Sequence, residues 1–228
     1  MLYRNGFLNH GIGDIMESHD ASDLVDESIM MFTDASADFT VQEPDARRYK
    51  TCLQITTGKS LLDIGINHGI LVNAAVMSGQ FEEIVGVDLT RSPYAIIGKE
   101  ITFRQISILD PDFVTRQFDT VVCMEVVEHL EAEHNDIILK NLRESTRKRL
   151  IVTVPFNEPE PLWWHDKPGG HRQKFTLKKL GELFPNAIAT IEPRWGVEWV
   201  FVVEDQSLDI KHFQLVTKDK FIELLIDN

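Results

Sequence analysis

Cysteine is scarce in this chain: there are two, Cys52 and Cys123, both in apolar stretches. Two such thiols make no disulfide framework and are expected to be reduced, packed side chains of a reducing compartment. Long apolar runs are missing as well, none approaching the ~20 residues of a membrane span. The N-terminus has no basic stretch leading into an apolar one, so a soluble, cytoplasmic protein is expected. Positive charge is absent from one region: from Asn5 to Ala46 there are ten acids and no Lys or Arg. That segment carries −10 of a net −13, leaving about −3 for the remainder. Contact with a nucleic-acid backbone is thereby disfavoured, because such affinity comes largely from basic side chains releasing counterions. The acid-rich arm reads as a solvated helix face or partly ordered lid, with cation binding as the alternative. Internal repeats and low-complexity tracts are absent too.

What is present is a chain of 228 residues, long enough for one domain that buries roughly 70% of its unfolded surface. Apolar residues at helical spacing place a short helix at 23–32, and Pro44 precedes a second at 46–55. Strands and helices then alternate as in a doubly wound α/β sheet. Strands are expected at 60–64, 83–88, 101–106, 119–124 and 150–154, with helices at 69–78, 93–99 and 132–145. A helix at 176–183 and strands at 187–192 and 198–204 follow, and Phe221, Leu224 and Leu225 suggest a terminal helix. The runs 61–64 and 121–124 are continuously apolar, as central parallel strands covered on both faces should be. The chain divides into an N-terminal helical arm or lid (1–57), a core domain (58–205) and a C-terminal extension (206–228).

The first strand, Leu61-Leu62-Asp63-Ile64, runs into Gly65-Ile66-Asn67-His68-Gly69, and a second strand ends in Asp88. A strand, a glycine-bearing turn, a helix and a second strand ending in an acid is how such a sheet holds an adenosine-containing cofactor. A dinucleotide site reads G-x-G-x-x-G and aims a helix N-terminus at pyrophosphate. Here the pattern is D-x-G-x-x-x-G, and a carboxylate ahead of the glycine repels pyrophosphate but can pair with an ammonium. That favours S-adenosylmethionine, which has an amino-acid end and a ribose end. Asp88 can accept both ribose hydroxyls; its alternative role is to cap a helix, which Thr90 or Ser92 would do as well.

Together with the phrase from Phe118 to Leu130, these motifs resemble the class I S-adenosylmethionine-dependent methyltransferases, over roughly Gly58 to Asp205. The resemblance implies a Rossmann-like, seven-stranded, mostly parallel sheet whose last strand is antiparallel, with N-terminal helices over the cofactor mouth. It implies that Asp63, Gly65, Asn67 and Gly69 meet the methionine end and that Asp88 meets the ribose. Leu89, Ser107, Ile108 and Met124 complete the cofactor set, with Ser107 standing where many relatives carry an acid toward the adenine amine. Asn67 replaces the usual second glycine, and asparagine tolerates a left-handed backbone better than most residues.

Methyl transfer from a sulfonium needs an aligned, unprotonated acceptor. Glu125, Glu128 and His129 fall at i, i+3 and i+4, one face if the segment is helical. Two carboxylates and an imidazole suit a divalent metal such as Mg, Mn, Fe or Zn; otherwise they cap the next helix, and His129 serves as the proton acceptor. The long loop from Pro155 to Gln173 argues for function. In it Trp163 and Trp164 either stack an acceptor or bury the loop, and His171, rather than His165, is the better catalytic candidate.

The leading expectation is methyl transfer to an oxygen, or a nitrogen, of a small-molecule acceptor by a monomer or homodimer. An RNA 3′-terminal 2′-O-methyltransferase would use Glu125, Glu128, His129 and His171 for one metal. A basic set running from Lys140 to Lys179 favours it, whereas the net charge and Gln173, where that family has histidine, oppose it. A non-catalytic cofactor-binding module is the third reading.

Overall fold

The computed structural model describes residues 20–35, 43–92, 98–163, 165–193 and 198–226. Two helices, α1 (Ala21–Ala35) and α2 (Glu43–Gln54), precede an alternating core. That core runs β1 (Ser60–Ile64), α3 (Ile70–Ser78), β2 (Glu83–Asp88), β3 (Ile101–Gln105), β4 (Phe118–Met124), α4 (Asn135–Ser145) and β5 (Thr146–Phe156). It closes with α5 (Leu177–Leu183), β6 (Ile188–Pro193), β7 (Glu198–Asp205), β8 (Gln214–Leu215) and α6 (Lys218–Ile226). The expected helix at 93–99 lies mostly outside the described residues.

The strands form one sheet in the order β3-β2-β1-β4-β5-β7-β6-β8. Only β7 runs against its neighbours, pairing antiparallel with both β5 and β6. Among the described residues the sheet therefore has eight strands, not seven. The addition is the two-residue β8, laid parallel on the β6 edge, and two residues are too few to leave a period-2 signal in the sequence.

Strand order reverses at β1, which is parallel to both β2 and β4. A crevice at the carboxyl ends of the strands is expected at such a switch point. All seven residues of β4 are buried, and the two faces sort by parity. Leu62, Ile64, Val121 and Cys123 pack with α4 and α5 residues such as Leu139, Leu142 and Leu180. Leu61, Val122 and Met124 face the opposite way, toward Cys52 and Leu53 of α2, the apolar α3 and Phe221 of α6. Asp63 shares the parity of Leu61, so its carboxyl emerges on the side that α2 covers.

The segment after β4 departs from the expected helical continuation. Glu125 leaves the strand with a left-handed φ of 54°, and only Val127–His129 forms a one-turn 3-10 helix. A second 3-10 turn, Ala132–His134, precedes α4 where one continuous helix was expected. Among the described residues no helix is long and apolar enough to cross a membrane.

Candidate functional site

A cleft of about 420 Å³ opens at the carboxyl ends of β1, β2 and β4. Of the cofactor residues expected from sequence, Asp63, Gly65, Asn67, Asp88, Leu89, Ser107, Ile108 and Met124 line it. Gly69 is outside that lining: it has φ 85° and stands as the N-cap of α3, where its carbonyl accepts from the Asn73 amide. The turn between β1 and α3 is shaped by Gly65 at φ 80° and by Asn67 at φ 48°, the left-handed backbone anticipated for that asparagine. Gly65 sits so close to the 3-10 segment that a Cβ there would lie 2.3 Å from Val126 Cγ2.

Two carboxylates bracket the cleft. Asp88 Oδ2 accepts a hydrogen bond from the Asn67 amide at 3.0 Å, tying the end of β2 to the turn after β1. Thr90 N lies 3.5 Å from Oδ1, too long for a strong cap. Asp63 is 3% exposed, and burial, followed by the nearby Asp88 charge, pushes its carboxyl up to about 7. No Lys or Arg among the described residues pairs with it, and an ammonium placed beside it would supply the missing cation. Leu89, 61% exposed, offers an apolar surface at the mouth. The Ser107 hydroxyl accepts from the Leu109 amide at 3.1 Å.

Two cleft residues came from α2 and were not anticipated: Arg48 and Tyr49. Arg48 stacks 4.3 Å over the Trp199 ring and pairs with Glu125 Oε2 at 3.1 Å. Its Nε is buried without a hydrogen-bond partner among the described residues. The signal for it was in the sequence: Arg47-Arg48 is the first cationic pair after the stretch from Asn5 to Ala46, which has no Lys or Arg.

Glu125 is claimed by this side of the cleft. Its carboxylate accepts from Trp199 Nε1 at 2.7 Å and Thr153 Oγ1 at 3.0 Å, besides pairing with Arg48. Glu125 therefore stays outside the ligand group, although its charge still acts on both Glu128 and His129. The i, i+3, i+4 grouping thus separates, because the segment is not an α-helix. Glu128, His129 and His171 come together instead, each offering a ligand atom within 4.8 Å of the others. Glu128 is 1% exposed, and both its oxygens, like His129 Nδ1, are buried without a hydrogen-bond partner among the described residues. Burial and the charge of Glu125 hold the Glu128 carboxyl well above the usual range. Burial and His171 lower His129, against the opposing pull of the Gly169 and Gly170 carbonyls.

His171 comes from the late loop, its ring 5.0 Å from that of His129 and 5.3 Å from that of Trp163. Trp163 is half-exposed, and Trp164 lies outside the described residues. Gln173 does not enter the cluster. Its Nε2 donates to the Val127 and Leu130 carbonyls at 2.9 and 3.0 Å and so holds the 3-10 turn in place.

A doubly wound sheet with a cleft at its switch point, bracketed there by two carboxylates, is the arrangement of the class I S-adenosylmethionine-dependent methyltransferases. Residues 41–187 match the family model described as "Methyltransferase domain", and the chain belongs to that family. It is 33% identical over 81 residues to the ubiquinone biosynthesis O-methyltransferase of Pseudomonas syringae pv. tomato, a match covering 32% of this chain and 34% of that protein. The chain thus spans about a third of the length of the curated relatives it matches. Among solved structures, it is similar to the 1,6-didemethyltoxoflavin-N1-methyltransferase of Burkholderia thailandensis, with TM-score 0.52, 19% identity, and 80% of this chain and 85% of that one covered. It is also similar to the N-methyltransferase NodS of Bradyrhizobium japonicum, with TM-score 0.56, 11% identity, and 82% and 100% covered. At these identities the two structures speak to fold alone.

Proposed function

We propose that the chain transfers a methyl group to an oxygen, or a nitrogen, of a small-molecule acceptor held at the inner end of the cleft. The observation that carries this reading is the junction of two groups. The cleft bracketed by Asp63 and Asp88 also has His129 in its wall, and His129 belongs to the cluster with Glu128 and His171.

The residues fit S-adenosylmethionine, which when bound supplies a methyl group already activated on a sulfonium. Asp63 would take its ammonium and Arg48, through the unpartnered Nε, its carboxylate. Asp88 would take the ribose hydroxyls while keeping its bond to the Asn67 amide, and Leu89 and Ile108 would flank the base. His129, lowered by burial, is neutral near pH 7 and can accept the acceptor's proton.

The unpartnered oxygens of Glu128 favour a second form of the same chemistry. One carboxylate and two imidazoles are a donor set for a divalent ion of the Mn, Fe or Zn type, with positions left for other ligands. Glu128, His129 and His171 would hold it, and it would acidify a hydroxyl acceptor.

A small acceptor is favoured over RNA by the state of the basic residues. Arg143 pairs with Glu204, Arg147 and Lys148 with Asp119, Arg149 with Asp205, and Arg172 with Glu131. Lys179 donates to Gln173 Oε1 at 2.7 Å. Side chains so engaged release few counterions on binding a phosphate backbone.

The test is transfer of a labelled methyl group to a panel of phenols, catechols and amines, with and without a chelator. Label in at least one acceptor is the expected result, and chelator-sensitive transfer selects the metal form. Cofactor binding with no transfer to any acceptor would favour a binding module.

A further inference from the structure

The loop between β5 and α5 contains a buried acid that neither the motifs nor the cofactor site uses. Glu158 is 5% exposed and directly follows Asn157, which has a left-handed φ of 50°. Its Oε2 lies 2.6 Å from His171 Nδ1, and its Oε1 accepts from the Trp163 amide at 2.9 Å. The His171 amide in turn donates to the Trp163 carbonyl at 2.9 Å. One carboxylate therefore ties the start of the loop to both its exposed tryptophan and its buried histidine, across thirteen residues.

An ionised carboxylate only accepts, so the hydrogen between Glu158 and His171 belongs to Nδ1. Occupying Nδ1 fixes the other nitrogen: Nε2 carries the lone pair when the imidazole is neutral. Beside His171 stand His129, with an unpartnered ring nitrogen, and Glu128, with two unpartnered oxygens. A histidine free to exchange tautomers would present a donor to that cluster part of the time. One anchored through Nδ1 presents an acceptor whenever the ring is neutral.

We propose that Glu158 is a positioning residue, which holds His171 in its Nδ1–H form and so supplies the Glu128–His129 cluster with an imidazole lone pair. This rests on the reading of that cluster as the place where the acceptor is activated. The same lone pair serves either form of that chemistry, a proton taken from the acceptor or a cation held beside it. Glu158 also accepts from the Trp163 amide, so the exposed tryptophan of the loop and its buried histidine share one anchor.

The experiment is a long-range nitrogen–proton correlation spectrum of the imidazoles in the full chain, saturated with S-adenosylhomocysteine at neutral pH. His171 is assigned from its missing signals in a His171→Gln variant. The wild-type chain should show a protonated Nδ1 and an unprotonated Nε2 at His171. Glu158→Gln should lose that single form, shifting toward Nε2–H or a mixture, while Glu158→Asp should retain it in part. An Nε2–H form in the wild type would overturn the proposal. So would a Glu158→Gln variant that melts at lower temperature yet keeps the wild-type tautomer, since Glu158 would then only hold the loop together. If Glu158→Gln does not fold, the wild-type spectrum alone decides. Calorimetric heat from S-adenosylhomocysteine is scored separately, so loss of cofactor binding in the wild type contradicts the functional reading and leaves the tautomer result intact.

Discussion

At the foot of the cleft, Asp63 is buried against the underside of α2 with its carboxyl pushed up to about 7, by burial first and Asp88 second. Its unfolded value is near 4, so between those two pH values the native state holds a proton that the unfolded chain lacks. Stability therefore falls as pH rises through that window, and the full deficit, on the order of 2–4 kcal/mol, is present above pH 7. Asp63→Asn should raise the thermal midpoint at pH 8 and leave it nearly unchanged at pH 3.5. The same variant should bind S-adenosylhomocysteine roughly a hundredfold more weakly, since a buried charged hydrogen bond is lost. A variant that is less stable at pH 8 would show that Asp63 is already compensated. Asp63, Asn67 and Asp88 were legible in the sequence because each belongs to one strand-and-turn unit, whose geometry is set locally. Arg48, Trp199 and Glu158 were not, because they reach the site through tertiary packing. Glu125 and Glu128 read as a pair of ligands, whereas in the fold Glu125 is held by Arg48, Trp199 and Thr153 and Glu128 groups with the two histidines.

At the scale of elements, the turn from β1 into α3 is locked against the segment that follows β4. Gly65 donates to the Val87 carbonyl at 2.7 Å, and Val126 fills the space where its side chain would be. Gly65→Ala meets both a left-handed φ and that contact, so it should destabilise the fold by about 1–3 kcal/mol in urea unfolding and weaken cofactor affinity. An alanine variant with the parent's midpoint and affinity would show that the turn yields freely. The central strands were readable because continuous burial leaves continuous apolar runs, and β1 and β2 fall where their residues indicated. The 3-10 turns were not, since three-residue elements carry too little pattern to separate from a helix start. β5 extends beyond its apolar stretch to Thr146 because its polar end stays paired, Arg149 opposite Asp205 of β7 and Thr146 opposite Phe118 of β4.

Over the whole molecule, the helices outside the sheet share its core. Leu24 and Val25 of α1, Cys52 and Leu53 of α2 and Phe221 and Leu225 of α6 join a single apolar cluster with Leu61, Val122 and Ile151. Phe221 is fully buried, with its ring 6.3 Å from that of Phe201. Phe221→Ala should therefore cost about 3–5 kcal/mol in a single unfolding transition. A separate low-stability transition would mean instead that residues 206–226 melt as an appendage. The acid-rich character of the chain could be read from composition, whereas the pairing of its basic residues needed the folded structure.

The measurement that bears most directly on the whole account is titration calorimetry of the chain with S-adenosylhomocysteine between pH 5.5 and 8.5. Binding at one site per chain is expected, with affinity that falls below about pH 7 as Asp63 takes up its proton and that loses this pH dependence in Asp63→Asn. Absence of binding heat across the range, or an affinity indifferent to both pH and the Asp63 charge, would contradict it.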